Sequence, residues 1–531
     1  MKLPNVLFIL IDDLGFGDVG FTQGSPPSAT FTPNIDQLAN DGLILDRHLA
    51  YKTCTPSRSA LQSGRLPVHV TEQLKVPDNP NAAIPYNMTT ISELLAEDGV
   101  YNSHIVGKWD AGMATYRHTP KGRGFSDESL TYFSHKNDFF THNTLQSGCQ
   151  TTCETENPGS HDCIIDMWEG SGPAVEVEKE RAGDFVEDVF LDRALDILNE
   201  EEQTDNPFLM FYSSHIAHCP LQVPQDRLEP FLNLPNDESL CSAQTDIVNP
   251  AFDGEFQCRA TYSAMVNTLD SNIGELVQKL KDTNQFDDTL IIFTSDNGGC
   301  VKLEESGGNN FPLRGGKYSD LEGGVRTAAF VGGGYLQQKN VQGRTSEIVH
   351  IADWYATIAR LAGVDDIKDY RAEASGLPEL DSRDQTSLLF EGAPSKWSDE
   401  PLFLSSNAVI VNEYKLIVQN SVGPAGHPGQ VYPNASSYLS PVDDAGLNLN
   451  CSTGCLFNVV DDPSEHDDLA SHLPNVVNQL KGYLLEDLVA YENDDVLQLE
   501  CDGDVGDEVN CGCHLAIEKW GGYFGPYAKG E

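Results

Sequence analysis

Four short apolar runs, each ending in polar residues at a turn, constrain the fold of this chain more than any other feature. They are Val6–Ile11, His104–Val106, Phe208–Tyr212 and Leu290–Phe293. Short runs rich in β-branched and aromatic residues are typical of strands buried on both faces, as in parallel sheets. Helical patterns lie between them, and the clearest is the stripe formed by Met265, Leu269, Ile273, Leu276, Val277 and Leu280. Strands that alternate with helices predict an open α/β sheet sandwiched between two layers of helices.

A smaller unit is predicted near the carboxyl end. Gly, Pro, Ser and Trp fill residues 391–398, a composition typical of a linker. Beyond it, Leu402–Leu404 and Ala408–Val418 have the pattern of antiparallel strands, and Leu480–Tyr491 has that of a helix. An acidic tail rich in Cys and Gly follows. Because 531 residues are many for a single core, we predict a large domain at 1–392 and a smaller α+β domain at 399–531.

The polar residues that follow the four runs predict one functional site. Ligands of open α/β sheets bind beyond the carboxyl ends of the strands. That rule gathers six side chains from four distant segments at one edge: Asp12, Asp13, Lys108, His218, Asp296 and Asn297. Carboxylate and amide oxygens are the ligands that Ca²⁺ and Mg²⁺ prefer. The sequence therefore predicts a divalent-cation site at this edge.

The charge balance excludes several partner classes. The chain carries 81 acidic and 33 basic residues, a formal net charge of −48. No stretch concentrates Lys and Arg, so nucleic acid and acidic membranes are not expected partners. No apolar run approaches the roughly 18–20 residues of a membrane span. An enzyme acting on anions would have to concentrate positive charge locally, against the field of the whole molecule.

Cysteines and glycosylation sequons favour secretion. Of 13 cysteines, twelve remain when Cys54 is set aside, enough for up to six disulfides. Sequons begin at Asn87, Asn434 and Asn450. We expect a secreted protein whose leader is removed and replaced by Met1; a lysosome-like compartment and an intracellular protein with accidental sequons are the alternatives. Zinc is the rival role for the cysteine clusters 149/153/163, 451/455 and 501/511/513, because His161 and His514 lie near them.

The segment Cys54-Thr55-Pro56-Ser57-Arg58 resembles the signature of the type I sulfatases. The same family order continues in Asp12-Asp13-Leu14-Gly15-x-x-Asp18, Gly107-Lys108-Trp109 and Ser295-Asp296-Asn297-Gly298-Gly299. Two further stretches, 218–224 and 307–317, look like those of arylsulfatase B-like enzymes. The stretch Leu456-Phe457-Asn458…Asp462-Pro463-Ser464-Glu465 is similar to the family's small-domain motif. The resemblance spans about residues 4–470.

The resemblance implies a fold, a reaction and a role for each site residue. It implies a large mixed sheet of the alkaline-phosphatase-like type sandwiched between helices. It also implies an enzyme that hydrolyses sulfate esters, either sulfated carbohydrates or aryl sulfates. Cys54 would be oxidised to formylglycine by a formylglycine-generating enzyme, and its hydrate would be the nucleophile. The implied ligands of Ca²⁺, with Mg²⁺ less favoured, are Asp12, Asp13, Cys54, Asp296 and Asn297. The implied catalytic roles are to hold the hydrate (Arg58), to neutralise sulfate (Lys108 and Lys317) and to protonate the leaving oxygen (His218, with His215 as competitor).

One position departs from the family pattern. The family has Gly-Lys-Trp-His-x-Gly, whereas this chain has Gly107-Lys108-Trp109-Asp110-Ala111-Gly112. A carboxylate can accept a proton, but it cannot donate one as an imidazolium does, and it adds negative charge beside an anionic substrate. One hypothesis is that Asp110 is the base that assists release of sulfate. The rival hypothesis is that Asp110 selects a substrate whose leaving group is cationic or rich in hydroxyls.

Two other functions remain open from the sequence. A phosphomonoester or phosphodiester hydrolase of the same superfamily would keep the fold, and Asp110 gives some reason to consider it. A sulfated-glycan-binding protein without catalysis is the non-enzymatic alternative. The complete set of Cys54, Arg58, Lys108, His218 and Lys317 speaks against the binding protein.

Overall fold

The computed structural model describes residues 3–22, 31–74, 79, 84–97, 100–145, 164–234, 257–301, 307–423, 449–491, 501–502 and 511–529. The strands are β1 Asn5–Ile11, β2 Leu43–Leu49, β3 Asn102–Lys108, β4 Leu130–Tyr132, β5 Trp168–Glu169, β6 Gly172–Pro173, β7 Phe208–Ser213, β8 Thr289–Ser295, β9 Arg326–Thr327, β10 Phe330–Gly332, β11 Gly343–His350, β12 Leu402–Ser405, β13 Ala408–Val411, β14 Tyr414–Ile417 and β15 Cys455–Asn458.

The α-helices are α1 Pro33–Asn40, α2 Cys54–Ser63, α3 Pro67–Val70, α4 Ile91–Glu97, α5 Val175–Arg181, α6 Val186–Glu201, α7 Gln225–Leu228, α8 Cys258–Asp282, α9 Glu322–Val325, α10 Gly334–Gln337, α11 Asp353–Leu361, α12 Tyr370–Ala374, α13 Thr386–Glu391, α14 Pro474–Gly482 and α15 Cys511–Glu518. Short 3₁₀ turns cover Phe16–Asp18, Tyr116–His118, Lys121–Arg123, Glu229–Phe231 and Phe286–Asp288, and a π turn covers Tyr483–Asp487. Among the described residues, no helix combines the length and apolar character that a membrane span requires.

Strands β1–β11 form one mixed sheet. Its order is β11-β2-β10-β8-β1-β7-β3-β4-β5-β6, and β9 pairs with β2. The central strands β8, β1, β7 and β3 are parallel neighbours, and they contain the four apolar runs. Both faces are covered, because alternate residues of β1 enter different cores: Val6, Phe8 and Leu10 on one face, and Leu7, Ile9 and Ile11 on the other. The predicted doubly covered α/β sheet is confirmed.

Helix α8 covers one face of the large sheet, as its apolar stripe predicts. The six predicted positions from Met265 to Leu280 are all buried in the same core as Leu7 and Ile9 of β1. Helix α6 contributes Val189, Phe190, Ala194 and Ile197 to this core. Helices α2, α4 and α11 pack on the opposite face. Burial of these stripes is what fixes the helices against the sheet.

Strands β12–β15 form a second, antiparallel sheet. One face packs against an edge of the large sheet, where Leu404 and Ile410 share a core with Leu66 and with Ile348 of β11. The other face carries Val409, Leu416 and Leu456 against Val477 and Leu480 of α14. The helix predicted at Leu480–Tyr491 is wrong in its bounds: it begins at Pro474, and its α-helical part ends at Gly482. Proline is tolerated in the first helical turn, so Pro474 starts this helix instead of excluding it.

A buried group of four charged side chains joins the two sheets. The Nζ atom of Lys415 lies 2.8 Å from Glu322 Oε1 and 2.6 Å from Glu465 Oε1, and all three side chains are fully buried. Arg326 pairs with Glu322 from the neighbouring turn. Glu465 belongs to the motif 456–465, and its carboxylate also accepts the backbone N–H of Glu322 at 2.6 Å. This group connects β14 to α9 across the junction.

The tail extends the core of the large sheet. Leu515, Ala516 and Phe524 are buried in the same core as Trp168 of β5. The backbone of Ile165 exchanges hydrogen bonds with Gly522 and Phe524 at 2.9 and 2.8 Å. The segment 391–398 is also packed, because Trp397 is buried and donates to Asp353 Oδ2 at 2.8 Å. The division of the chain at 392–399 therefore stays a prediction.

Disulfides occupy two of the three cysteine clusters. Cys451 pairs with Cys455 and Cys501 with Cys511, and Cys513 is disulfide-bonded as well. Sulfurs in disulfides are not zinc ligands, so the zinc alternative is wrong for these two clusters. The cluster 149/153/163 and the sequon at Asn434 lie outside the described residues. The side chains of Asn87 and Asn450 are exposed.

Candidate active site

The carboxyl ends of four adjacent parallel strands build the site. β1 ends at Ile11, directly before Asp12 and Asp13, and β8 ends at Ser295, before Asp296 and Asn297. β3 ends in Lys108, and β7 leads through a tight turn to His218. Parallel neighbours place these ends at one edge, as the sequence predicts. The side chains of all six predicted residues are buried there.

Helix α2 brings Cys54 and Arg58 to this edge. Cys54 is its first residue, and Arg58 follows four positions later, so both lie on the same face of the helix. Pro56 is tolerated because the first turn of a helix needs no N–H donor there. The Cys54 thiol lies 3.4 Å from Asp12 Oδ1 and 3.9 Å from Asp13 Oδ1. The spacing C-x-P-x-R is thus the spacing of one helical face pointed at the strand ends.

Arg58 and Lys108 compensate the carboxylates of Asp12 and Asp296. Arg58 donates from Nε to Asp296 Oδ2 at 2.8 Å and from Nη1 to Ser213 Oγ at 2.7 Å. Lys108 Nζ lies 2.7 Å from Asp12 Oδ2. Burial by itself would lower the pKa of Lys108, but the Asp12 and Asp110 carboxylates more than offset it and raise that pKa. Both cations therefore stay charged inside the protein.

Lys317 connects Asp13 to His218. Its Nζ atom lies 2.8 Å from Asp13 Oδ2 and 3.0 Å from His218 Nε2. The Nδ1 atom of His218 donates to the Cys219 carbonyl at 2.6 Å, so Nε2 carries the lone pair that accepts from Lys317. Burial and the nearby Lys317 charge lower the pKa of His218 well below its usual value. The competitor His215 stacks on Phe139 at 4.3 Å and on the His218 ring at 5.8 Å, both distances between ring centroids, and its ring nitrogens have no hydrogen-bond partner among the described residues.

Asp110 lies beside Lys108 and is hydrogen-bonded to His135, a partner that no sequence motif indicates. Its Oδ1 atom accepts from Thr55 Oγ1 at 2.9 Å and from His135 Nδ1 at 2.9 Å. Burial would raise the pKa of Asp110, but His135 and Lys108 lower it below its usual range. Asp110 is therefore ionised at neutral pH. His135 follows β4, 25 positions after Asp110, with no local motif around it.

Two of the carboxylates occupy strained backbone positions. The φ angles of Asp13 and Asp110 are 58° and 45°, in the left-handed region. Aspartate tolerates this region better than most residues, but it still costs on the order of 1 kcal/mol. Each residue lies two positions after the end of a strand, β1 or β3, where the chain turns. Such strain is concentrated at functional sites because the surrounding structure holds the side chain in one direction.

The donor set fits a hard divalent cation. Asp12, Asp13, Cys54 and His218 offer atoms that all lie within 4.8 Å of one another. His218 Nε2 is already engaged by Lys317, so of this set the two carboxylates and the side chain at position 54 are left to bind a metal. The buried Oδ1 of Asn297 has no hydrogen-bond partner among the described residues, while its Nδ2 donates to Asp13 Oδ1 at 2.7 Å. An unpartnered buried amide oxygen beside three carboxylates suits Ca²⁺ or Mg²⁺.

The charges of the site sum to nearly zero. Four carboxylates (Asp12, Asp13, Asp110 and Asp296) face three cations (Arg58, Lys108 and Lys317). One negative charge remains without a metal, and a divalent cation converts it into one positive charge. A net positive charge at the site would attract an anion locally, although the chain carries −48 overall.

The structure brings together every site residue predicted from the sequence. It also adds Ser213, which accepts from Arg58, and the pair Thr55 and His135, which bind Asp110. Ser213 could have been found, because it ends β7 beside Lys108. His135 could not, because only the path of the loop after β4 brings it near Asp110.

Comparison with known protein families identifies related chains. A family model described as Sulfatase matches residues 4–364. Arylsulfatase J of Mus musculus is 30% identical over 507 residues, which cover 90% of this chain and 74% of that protein. Arylsulfatase A of Homo sapiens is 31% identical over 371 residues, which cover 68% of this chain and 64% of that protein. The chain thus spans just under two thirds of the length of arylsulfatase A.

A solved structure has the same architecture. The crystal structure of Ps i-CgsB in complex with k-i-k-neocarrahexaose has a TM-score of 0.70 and is 24% identical in sequence; the match covers 93% of this chain and 96% of that chain. This likeness concerns the fold. It confirms the predicted alkaline-phosphatase-like arrangement, a large mixed sheet between helices with a smaller antiparallel sheet.

Proposed function

The chain belongs to the sulfatase family, whose members hydrolyse sulfate esters, and on that premise we propose that it is a Ca²⁺-dependent sulfatase that uses a formylglycine made from Cys54. Its substrates are sulfated carbohydrates or aryl sulfates. The observation that carries the proposal is the convergence of Cys54, Arg58, Lys108, His218 and Lys317 with three carboxylates at one buried strand edge. A protein that only binds sulfated glycans would not need a cysteine at the centre of this cluster.

The modification and the metal would supply what the unmodified side chains lack. A hydrated formylglycine at position 54 offers an oxygen nucleophile and lets sulfate leave by elimination. Ca²⁺ held by Asp12, Asp13, Asp296 and Asn297, together with the oxygen at position 54, adds two positive charges. Lys108 and Lys317 offset the repulsion between two approaching anions, because their ammonium groups are fixed and already desolvated. Arg58 binds Asp296 and thereby fixes α2 against the end of β8.

His218 is suited to protonate the leaving oxygen. Its Nδ1–H is fixed by the Cys219 carbonyl, so proton exchange takes place at Nε2. In the absence of substrate, burial and Lys317 keep the ring neutral. A bound sulfate offsets the charge of Lys317 and raises the proton affinity of Nε2. His218 thus becomes an acid in the presence of the anionic substrate.

A comparison of ester substrates tests the proposed reaction. We expect nitrophenyl sulfate to be hydrolysed much faster than the matching phosphate monoester and diester. Faster hydrolysis of a phosphate ester would overturn the sulfatase proposal in favour of the phosphatase alternative. The peptide that contains Cys54 should be about 18 Da lighter than its thiol form, since the thiol is replaced by an aldehyde.

Removal of the divalent cation should abolish turnover and lower stability. Chelation removes two positive charges from beside Asp12, Asp13 and Asp296 and leaves the site with one uncompensated negative charge. Added Ca²⁺ should restore both properties, and at one hundred times its dissociation constant it adds about 2.7 kcal/mol to the free energy of unfolding. Thermal unfolding with and without Ca²⁺ measures this.

Asn297→Ala should remove most of the Ca²⁺-dependent stabilisation, because the unpartnered Oδ1 is lost. Asn407→Ala, in the turn between β12 and β13, is the matched control and should keep it. Full activity and an unchanged melting temperature after chelation would contradict the metal assignment.

The compartment and maturation partner follow from the same chemistry. We expect a secreted or lysosome-like glycoprotein that is modified by a formylglycine-generating enzyme. The disulfides Cys451–Cys455 and Cys501–Cys511 support an oxidising compartment. The exposed side chains of Asn87 and Asn450 are accessible to glycosylation.

A further inference from the structure

The Asp110–His135 pair is a cluster that none of the roles above uses. His135 Nδ1 lies 2.9 Å from Asp110 Oδ1, and a carboxylate can only accept at this distance, so Nδ1 carries the proton. The opposite ring atom, Nε2, is buried and has no hydrogen-bond partner among the described residues. The side chain as a whole keeps 13% of its surface exposed. An imidazole with one nitrogen fixed by a carboxylate and the other unengaged is arranged for proton exchange.

His135 contacts two residues that adjoin the reacting residue, Lys108 and Thr55. Its backbone carbonyl accepts from Lys108 Nζ at 2.8 Å, and the same Nζ lies 2.7 Å from Asp12, the residue that contacts the Cys54 thiol. Its Nδ1 also lies 3.4 Å from Oγ1 of Thr55, the residue that follows Cys54. The charged groups facing the pair are Lys108, 3.7 Å from Asp110 Oδ2, and Arg58.

Asp166 holds the loop that carries His135. Its two carboxylate oxygens accept the backbone N–H groups of Phe133 and Ser134 at 2.9 and 2.8 Å. Asp166 is fully buried, and its neighbour Ile165 is bonded to the tail at Gly522 and Phe524. The position of the imidazole is therefore fixed from both sides, by Asp110 at the ring and by Asp166 at the backbone.

Asp110 is a poor base for the site. Thr55 and His135 both engage its Oδ1, and the cations around it keep it ionised. A carboxylate held in this form by its neighbours binds a proton weakly. Its contacts are those of a group that orients an imidazole, so the hypothesis of Asp110 itself as the base is the weaker one.

We propose that His135 Nε2 is the proton acceptor at residue 54 and that Asp110 is the positioning residue that orients its ring. The inference rests on the proposed sulfatase function. One proton passes from the hydroxyl at residue 54 to Nε2 while sulfate leaves with the electron pair of its bond to carbon. The oxygen left behind forms the carbonyl bond of the aldehyde, and the proton is returned to water. This chain thus supplies from the loop after β4 the imidazole that is absent at position 110.

His135→Asn separates this role from a structural one. Asparagine keeps an N–H donor for Asp110 but has no basic nitrogen in place of Nε2. We expect kcat to fall about 100-fold with KM within about twofold, and the remaining rate to rise with pH as hydroxide replaces the base. Binding of inorganic sulfate, measured by calorimetry, should be unchanged, because Lys108 and Lys317 remain.

Chemical rescue is the second measurement. His135→Ala leaves space at the ring, and added imidazole should restore part of its turnover. Asp110→Asn should lower kcat about 10- to 100-fold without a response to imidazole, since the ring is present but less well oriented. Gln37→Ala, at an exposed position of helix α1, is the control and should retain full kcat.

Two outcomes overturn different claims. A wild-type-like kcat and pH profile for His135→Asn, with formylglycine present, would overturn this inference and leave the sulfatase function standing. No turnover of any sulfate ester by the wild-type protein with formylglycine and Ca²⁺ would overturn the proposed function, and the inference with it.

Discussion

Cys54→Ala is expected to abolish hydrolysis of sulfate esters, with a loss of about 10⁴-fold or more in kcat. The remaining side chains bind and orient an anion but include no nucleophile at the centre of the cluster. Sulfate binding should persist, because Lys108 and Lys317 keep their partners Asp12 and Asp13. The free energy of unfolding should change little, since the thiol makes only long contacts, 3.4 Å with Asp12 and 3.9 Å with Asp13.

Ser63→Ala provides the matched control for Cys54→Ala. Ser63 is the last residue of the same helix, is equally buried, and donates only to the Ser59 carbonyl at 2.7 Å. Its loss should leave kcat unchanged. The three predicted properties of both variants are measured separately: kcat by steady-state kinetics, sulfate binding by calorimetry and stability by thermal unfolding. Turnover by Cys54→Ala within tenfold of the wild type would disprove a nucleophile at position 54.

Lys415→Met is expected to cause the largest loss of stability, about 3–5 kcal/mol. It leaves the carboxylates of Glu322 and Glu465 buried at the junction of the two sheets, with Arg326 as their remaining ion-pair partner among the described residues. Methionine has a similar length and fills the space, but it carries no charge to neutralise the two carboxylates. Because none of the hydrogen bonds and ion pairs of Lys415 involves a site residue, kcat per folded molecule should be unchanged. Denaturant unfolding followed by circular dichroism measures the loss.

The loss in Lys415→Met should depend on pH. Burial raises the pKa of Glu465 to about 7, whereas Arg326 and Lys415 outweigh burial and lower the pKa of Glu322 to about 2. Loss of Lys415 removes a cation that lowers the pKa of both carboxyls, so both pKa values rise. As pH rises, the unfolded chain then releases these protons at a lower pH than the folded chain does, so the free energy of unfolding falls. The deficit is therefore full at pH 8 and shrinks toward pH 5.

Lys519→Met tests whether burial is the reason for the effect of Lys415→Met. Lys519 pairs with Asp502 at 2.9 Å, but both side chains are exposed. Its removal should leave the free energy of unfolding nearly unchanged at every pH. An equal loss in both variants, or a loss in Lys415→Met that does not change with pH, would refute the assignment to a buried charge imbalance.

Much of the site could be predicted because it follows directly from strand ends. The turns after β1 and β8 place Asp12, Asp13 and Asp296 where parallel strands converge, and their apolar runs are visible in the sequence. Cys54 and Arg58 were assigned to the site by the resemblance to the type I sulfatases, and the structure shows that their spacing is one turn of helix α2. Local periodicity and the direction of parallel strands are properties of the chain itself.

The bounds of the smaller domain were harder to predict. The helix expected at Leu480–Tyr491 begins at Pro474 instead, because Val477 and Leu480 complete the apolar face of the second sheet. Residues 391–398 have the composition of a linker, yet Trp397 is buried and bonded to Asp353. Composition indicates where a chain can turn, and packing decides whether that segment is solvated.

The sequence alone determined the α/β sheet, the edge at which its ligands bind, and the residues Asp12, Lys108 and Asp296 at that edge, because each depends on neighbours a few positions away. Cys54 was assigned by the family resemblance. Only the tertiary structure decided that Asp110 faces His135, that Lys317 bridges Asp13 and His218, and that Lys415 lies between two glutamates. These contacts join segments up to 304 positions apart. Their geometry is set by how loops pack on the finished sheet, and no periodicity in the chain encodes it.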